Sequence, residues 1–313
     1  MISFRYHIVT LVSVFLALAI GIALGGGPLK GGVDNSLVQE LAARKKFEHR
    51  QRGQIAGLRA AAASSHRYAV KTAPKVLAGT LSGTTVAVAA LPGASNTIVD
   101  SLSARVRTSG GRVVGTYRFG TKLADSGNKD LIDQLGTQLQ SDAPDVDVPG
   151  DVSTYERFGL LVGRAIGVQS ARSAPYDQTS TSLVSGFSTA GLFSAIGTPK
   201  RRADVILVLT SGGSGDDQAA ASETQSEVVD ALASSARTVL VAGPAGGARK
   251  GGLIRTIRDD SALSNRISTV DTAASGTGGV ITMLAVAKDL AQGTGQYGAV
   301  DAADGPVPDL TTR

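Results

Sequence analysis

The sequence predicts an α/β protein: an N-terminal transmembrane helix and a helical stalk, then a doubly wound, mostly parallel sheet domain with a helical insertion. Three observations carry that reading. Residues 8–26, IVTLVSVFLALAIGIALGG, contain no charge over 19 positions, close to the 20 or so needed to cross a hydrocarbon core as a helix. From residue 84 onward, short apolar runs rich in Val alternate with helical patterns, the mark of βα units. The run DVILVLT at 204–210 is apolar on both faces, as strands of a parallel sheet are.

Residues 1–7 are expected as a short cytoplasmic tail and 8–26 as an uncleaved signal-anchor helix. The apolar stretch is longer than a signal-peptide core, and Gly25-Gly26-Gly27-Pro28 makes a poor cleavage site. Arg5 favours a cytoplasmic N-terminus, whereas Lys30 and the Arg44-Lys45-Lys46 cluster pull the other way. The short tail decides for an extracytoplasmic α/β domain on a single-pass protein of the cell membrane. Gly21 and Gly25 form a G-x-x-x-G, a spacing that permits close helix approach.

Residues 34–70 read as a helical stalk. Leu37, Leu41, Ile55, Leu58 and Ala62 fall on one stripe at helical spacing, interrupted by Arg44, Glu48 and Gln51. Two expectations follow: a short, imperfect parallel coiled coil that makes the protein a dimer, or a solvated stalk lying against its own domain. Pro74 and the glycines at 79 and 83 mark 71–83 as a linker.

The α/β domain is expected over 84–298. Strands are read at 85–91, 113–117, 204–210, 238–242 and 266–270, and helices near 95–109, 128–139, 216–236 and 279–291. The insertion, at 152–197, carries one helical stripe through Tyr155, Phe158, Leu161, Val162, Ala165 and Ile166. A second runs through Leu183, Phe187, Ala190 and Phe193. Residues 299–313 are expected as a flexible tail.

Composition removes several function classes. Cys is absent, which excludes a disulfide framework, thiolate zinc, iron–sulfur ligation and a Cys nucleophile. The three histidines are His7, His49 and His66, so no Ser-His-Asp triad fits in the 247 residues that follow. The chain carries a net charge of +5, but its basic clusters lack the interleaved aromatic residues of a base-stacking surface, and no nucleic-acid partner is expected.

Two Gly-rich turns are candidate phosphate cradles, and neither has the required spacing. Residues 210–216, TSGGSGD, follow a strand and open a helix, but Gln218 stands where G-x-G-x-x-G needs its last glycine. Asp216 and Asp217 would repel a phosphate there and suit helix capping instead. The turn at 243–251, GPAGGARKG, also lacks the dinucleotide order. Asp204 and Asp271 are acids near strand ends with no base to pair with. No enzyme activity and no resident cofactor are expected.

The opening segment MISFRYHIVTLVSVFLALAIGIALGGGPL resembles the N-terminus of the actinobacterial copper transport protein B family. The segments Val270-Asp-Thr-Ala273, Gly279-Val-Ile-Thr-Met-Leu-Ala285 and Gly295-Gln-Tyr-Gly298 are similar to the family's closing region. The resemblance implies a membrane-anchored, envelope-facing protein of copper transport or copper homeostasis. One span encloses no pore, so transport would need oligomers or an envelope protein partner. It brings no catalytic motif. Copper sites draw on Cys, Met and imidazole. Met1 precedes the span and Met283 falls in an expected core helix. His49 and His66 therefore remain the metal candidates, 17 residues apart, which is about 25 Å along one helix. Two other readings stay open: a non-catalytic envelope scaffold or regulator acting through stalk and domain, and a nucleotide or small-ligand binder at the Gly212 to Asp216 turn.

Overall fold

A computed structural model describes residues 4–26, 30–171 and 174–309. The chain divides into two compact units, one reaching to Ser64 and one starting at Ser65. The first unit holds helix α1 (Phe4–Gly26) and most of helix α2 (Lys30–Val76). Within α1, Tyr6–Gly25 has a mean hydropathy of 2.6, and its length and composition are those of a membrane-crossing helix. Every α2 side chain from Val38 to Ser64 is exposed.

The second unit begins with the last turns of α2. The residues expected as a linker continue the helix to Val76, with Pro74 inside it. Ala69, Ala73 and Leu77, spaced by four, are all buried, and Leu81 follows them into the same core. Pro74 removes one backbone bond in the final turn. Burial of this apolar stripe outweighs that loss, which is why a stretch that reads as a linker is helical.

The sheet follows with β1 (Thr85–Ala90), α3 (Asn96–Thr108), β2 (Arg112–Phe119), α4 (Lys129–Gln140), α5 (Thr154–Ile166), α6 (Gln178–Thr189) and β3 (Phe193–Ile196). The second half holds β4 (Val205–Leu209), α7 (Asp216–Ala233), β5 (Thr238–Ala242), α8 (Leu253–Asp259), α9 (Ser261–Ser264), β6 (Ser268–Val270), α10 (Gly276–Gln292) and β7 (Gln296–Tyr297). The strand order is β3-β2-β1-β4-β5-β6-β7. All pairs are parallel except β2–β3. This is the expected α/β class with a mostly parallel sheet.

Alternation along the strands builds two cores. Ala87, Ala89, Ile206, Val208, Val239 and Val241 face the layer formed by α4 to α8. Val86, Val88, Ala90, Leu207, Leu209 and Leu240 face α3, α10 and the end of α2. Both faces of β1, β4 and β5 are covered, so every position of these strands is buried and the polar residues are confined to Thr85 and Thr238 at the strand starts.

Two local expectations are corrected. Phe193 does not extend the second helical stripe of the insertion; it opens β3, the one antiparallel strand. The helix stops before Gly191, whose φ is +72°, and Phe193 then stacks on Tyr117 at 5.3 Å between ring centres. The short strand β7 and helices α8 and α9 had no clear periodicity in sequence. Residues 299–309 are not a loose tail but lie on the domain: Gly298 N donates to the Gly305 carbonyl at 3.1 Å, and Asp304 Oδ2 accepts from Gln296 N at 2.7 Å. Residues 310–313 lie outside the described residues.

Candidate functional site

In a doubly wound sheet, ligands bind beyond the carboxyl ends of the strands, where the order reverses. Here that place lies between β1 and β4. Its two walls touch: a Cβ on Gly93, after β1, would stand 3.1 Å from the Ser211 Cβ, after β4. Leu91 N donates to the Leu209 carbonyl at 2.8 Å and draws the walls together.

The two Gly-rich turns are brought together, against each other. Gly215 N donates to the Lys250 carbonyl at 2.8 Å. A side-chain carbon on Gly251 would collide with the Gly215 carbonyl, and one on Gly246 with the Gly212 carbonyl. Gly212 itself packs on Pro244. The glycines thus admit backbone to backbone where two loops cross. Gly215, at φ +99°, is the N-cap of α7 and makes no side-chain cap bond. Asp216 and Asp217 therefore sit in the first turn rather than at the cap expected of them, where they complement the helix dipole.

The two acids near strand ends also have structural partners. Asp204 is buried at the start of β4, where its Oδ1 accepts from Thr85 N at 2.6 Å and Thr85 Oγ1 at 2.5 Å. Arg237 stands 3.5 Å from its other oxygen. This clamps β1 to β4 at the amino end of the sheet, opposite the usual ligand side. Asp271, after β6, is fully buried and pairs with Arg258 at 3.0 Å. Its two oxygens also accept from Ala299 N at 2.7 Å and Val300 N at 3.0 Å. Arg258 reaches Thr269 Oγ1 and the Tyr297 carbonyl, each at 2.8 Å. Burial pulls the Arg258 guanidinium down and Asp271 holds it up. The pair fastens the closing segment to the sheet edge.

A third charged cluster escaped the sequence reading, because its partners are far apart along the chain. Arg164 on α5 bridges Asp145 at 2.5 Å and Asp177 at 2.8 Å. Burial opposes ionisation of Asp177, but hydrogen bonds from Arg164 and Ser180 outweigh it and hold the carboxyl well below its usual range. Arg164 and Asp145, with Arg202, line a surface cleft of about 370 Å³. A second cleft, of about 550 Å³, is lined by Arg249, Lys250, Arg255 and Asp301, but Arg255 is already held by Asp259 at 2.7 Å and Asp301 at 2.8 Å.

The two histidines fall in different units. His49 is exposed on the stalk portion of α2. His66 is exposed at the start of the second unit, and its ring and backbone lie over Gly276, the first residue of α10. Any side chain at 276 would meet the imidazole, so this glycine is the seat on which the last turns of α2 rest. Met283 is buried in α10. Among the described residues, no three His, Asp or Glu side chains converge as a metal site.

Fold and site together define an α/β sheet protein with an apolar N-terminal helix, whose singled-out polar groups bind strands and loops to one another. The family model described as "Copper transport outer membrane protein, MctB" matches residues 1–308, and the chain belongs to that family. It is 26% identical over 309 residues to the Copper transporter MctB of Mycobacterium tuberculosis (strain ATCC 25618 / H37Rv), covering 95% of this chain and 96% of the relative. It is 28% identical over 311 residues to the Copper transporter MctB of Mycobacterium leprae (strain TN), with the same coverage. The resemblance read from the two ends of the sequence thus runs through the whole chain.

Proposed function

We propose that this protein serves copper transport or copper homeostasis as a single-pass, membrane-anchored envelope protein. Its α/β unit faces the extracytoplasmic side and works through an envelope partner rather than by catalysis. The observation that carries this reading is the family match over residues 1–308, which includes both the apolar helix and the sheet unit. Anchoring is supported by α1, apolar over Tyr6–Gly25. In α1, Gly21 and Gly25 make a G-x-x-x-G spacing, which supports pairing of two anchors in parallel. The scaffold reading is favoured by the donor set: His49 stands alone on the stalk and His66 is committed to Gly276. Copper then passes to or through a partner.

The test pairs copper tolerance of a deletion strain with titration of the purified full chain by Cu(I) and Cu(II) against a competing chelator. We expect a copper phenotype that the wild-type chain complements, and weak binding that is lost in His49→Ala/His66→Ala. Nanomolar binding that survives both substitutions defeats the scaffold role. Unchanged copper tolerance defeats the copper role itself.

A further inference from the structure

The net charge of +5 sits outside the sheet unit, whose residues 65–313 hold 23 Lys and Arg and 23 Asp and Glu. Within that neutral unit the two signs are segregated on two helices. From Ser65 to Val99 the chain has no acid, and its Lys and Arg there are Arg67, Lys71 and Lys75. All three are exposed on the last turns of α2. At about 100° per residue they share an arc of about 80°, turned away from the buried Ala69 and Ala73. Helix α7 is the converse, since its five charged residues are all acidic. Asp216, Glu223, Glu227 and Asp230 fall within an arc of about 60°, on the side opposite the buried Val229 and Leu232.

Internal pairing leaves most of this charge standing. Asp230 is held by Arg266 at 2.5 Å, whereas Asp216 meets Lys250 at 3.4 Å with both side chains almost fully exposed. Glu227 accepts from Ser153 Oγ at 2.5 Å, a bond that leaves its charge in place. Among the described residues, Arg67, Lys71, Lys75, Glu223 and Glu227 form no ion pair. Both stripes also set like charges four residues apart, a spacing that destabilises a helix standing alone. An opposite stripe alongside turns that repulsion into attraction.

The fold decides what can supply the complement. The last turns of α2 pack on the core that holds Ala73 and Leu77, and α7 packs on the core that holds Val228 and Leu232. These cores lie on opposite faces of the sheet, so the two stripes of one chain cannot meet. A second copy presents to each stripe the partner it lacks, and neutral units approach without net repulsion. Because the stripes occupy opposite faces, one two-fold axis cannot satisfy both. The contact is heterologous and leaves a free stripe at each end of a row.

We propose that the cationic stripe of α2 in one copy docks along the acidic stripe of α7 in a second copy, joining sheet units head to tail. The stripes match in length: Arg67 to Lys75 spans about 12 Å and Glu223 to Asp230 about 10 Å at 1.5 Å per residue. The contact depends on neither the copper role nor the pairing of anchors.

Exposed ion pairs are individually weak, so the test reads proximity. The chain has no Cys, and an introduced one is the sole target of a short bismaleimide. The full chain is purified in detergent with Pro74→Cys, within the α2 stripe, or with Ala220→Cys, within the α7 stripe. Mixing the two should give a crosslinked dimer that neither gives alone. Arg67→Glu/Lys71→Glu/Lys75→Glu in the first chain should cut that yield about tenfold or more. Glu223→Lys/Glu227→Lys in the second chain should restore it. Salt at about 1 M, where the Debye length is about 3 Å, should weaken the unreversed contact. Near-UV circular dichroism checks that each variant is folded. If a reversed chain does not fold, Lys71→Gln and Glu223→Gln should each weaken the crosslink, and an unchanged yield overturns the proposal. So does a mixture that fails to crosslink, a folded reversal that leaves the yield intact, or a folded swapped pair that does not recover it. Pro74→Cys crosslinking to itself as well as to Ala220→Cys means that two α2 helices pair with each other, and the head-to-tail contact is then wrong.

Discussion

Replacing Asp289 by Asn should stabilise the sheet unit at neutral pH and destabilise it in acid. Asp289 lies on α10, where its Oδ1 accepts from Ser268 Oγ at 2.8 Å and its Oδ2 is buried without a hydrogen-bond partner. Burial pushes the carboxyl from 3.8 up to about 7, and the Ser268 bond and the Lys288 charge offset only part of that. Because the folded pKa is raised, the native state keeps a proton that the unfolded chain releases between about pH 4 and pH 7. Stability therefore falls as pH rises through that window and levels off above it. Three decades of proton affinity at 1.36 kcal/mol each set an upper limit of about 4 kcal/mol on the loss. Asparagine keeps the acceptor for Ser268 but places an NH₂ where no acceptor waits, costing about 1–3 kcal/mol at every pH. The variant should then gain about 1–3 kcal/mol at pH 8, several degrees in Tm, and lose a similar amount near pH 4. Near-UV circular dichroism of the tyrosines in detergent-solubilised full-length protein reads the sheet unit, because the chain has no Trp and all six Tyr but Tyr6 belong to that unit. A Tm difference of the same sign and size at pH 4.5 and pH 8 refutes a buried carboxyl that resists ionisation.

Arg258→Met should cost about 3–5 kcal/mol by thermal denaturation, because it strands the buried Asp271 charge; adding Asp271→Asn should recover part of the loss, and a double variant less stable than Arg258→Met argues against the pairing. Gly276→Ala should cost about 1–3 kcal/mol by forcing His66 off the start of α10, with His66→Ala restoring part of it. Additive losses in that double variant mean that the imidazole does not rest on the glycine.

Local pattern made much of this fold legible. Strands β4 and β5 follow directly from VILVL and TVLVA, whose two apolar faces need cover on both sides. The apolar run of α1 needed only its length and lack of charge. The copper candidates were equally constrained, since a chain with three His and no Cys offers few donors wherever they fall. What periodicity could not decide is where distant segments meet. Pro74 and its glycines read as a linker because the sequence does not show Ala73, Leu77 and Leu81 meeting a core. The glycines of 210–215 and 243–252 look like phosphate cradles until each turn is seen to be the other's neighbour. Asp204 finds Thr85 across 119 residues and Asp271 finds Ala299 across 28, so neither role was visible in a window of a dozen. Side-chain spacing along one element is set by backbone geometry and is written in the sequence. Contacts between elements are set by the packing of all of them at once, and only the tertiary structure decides those.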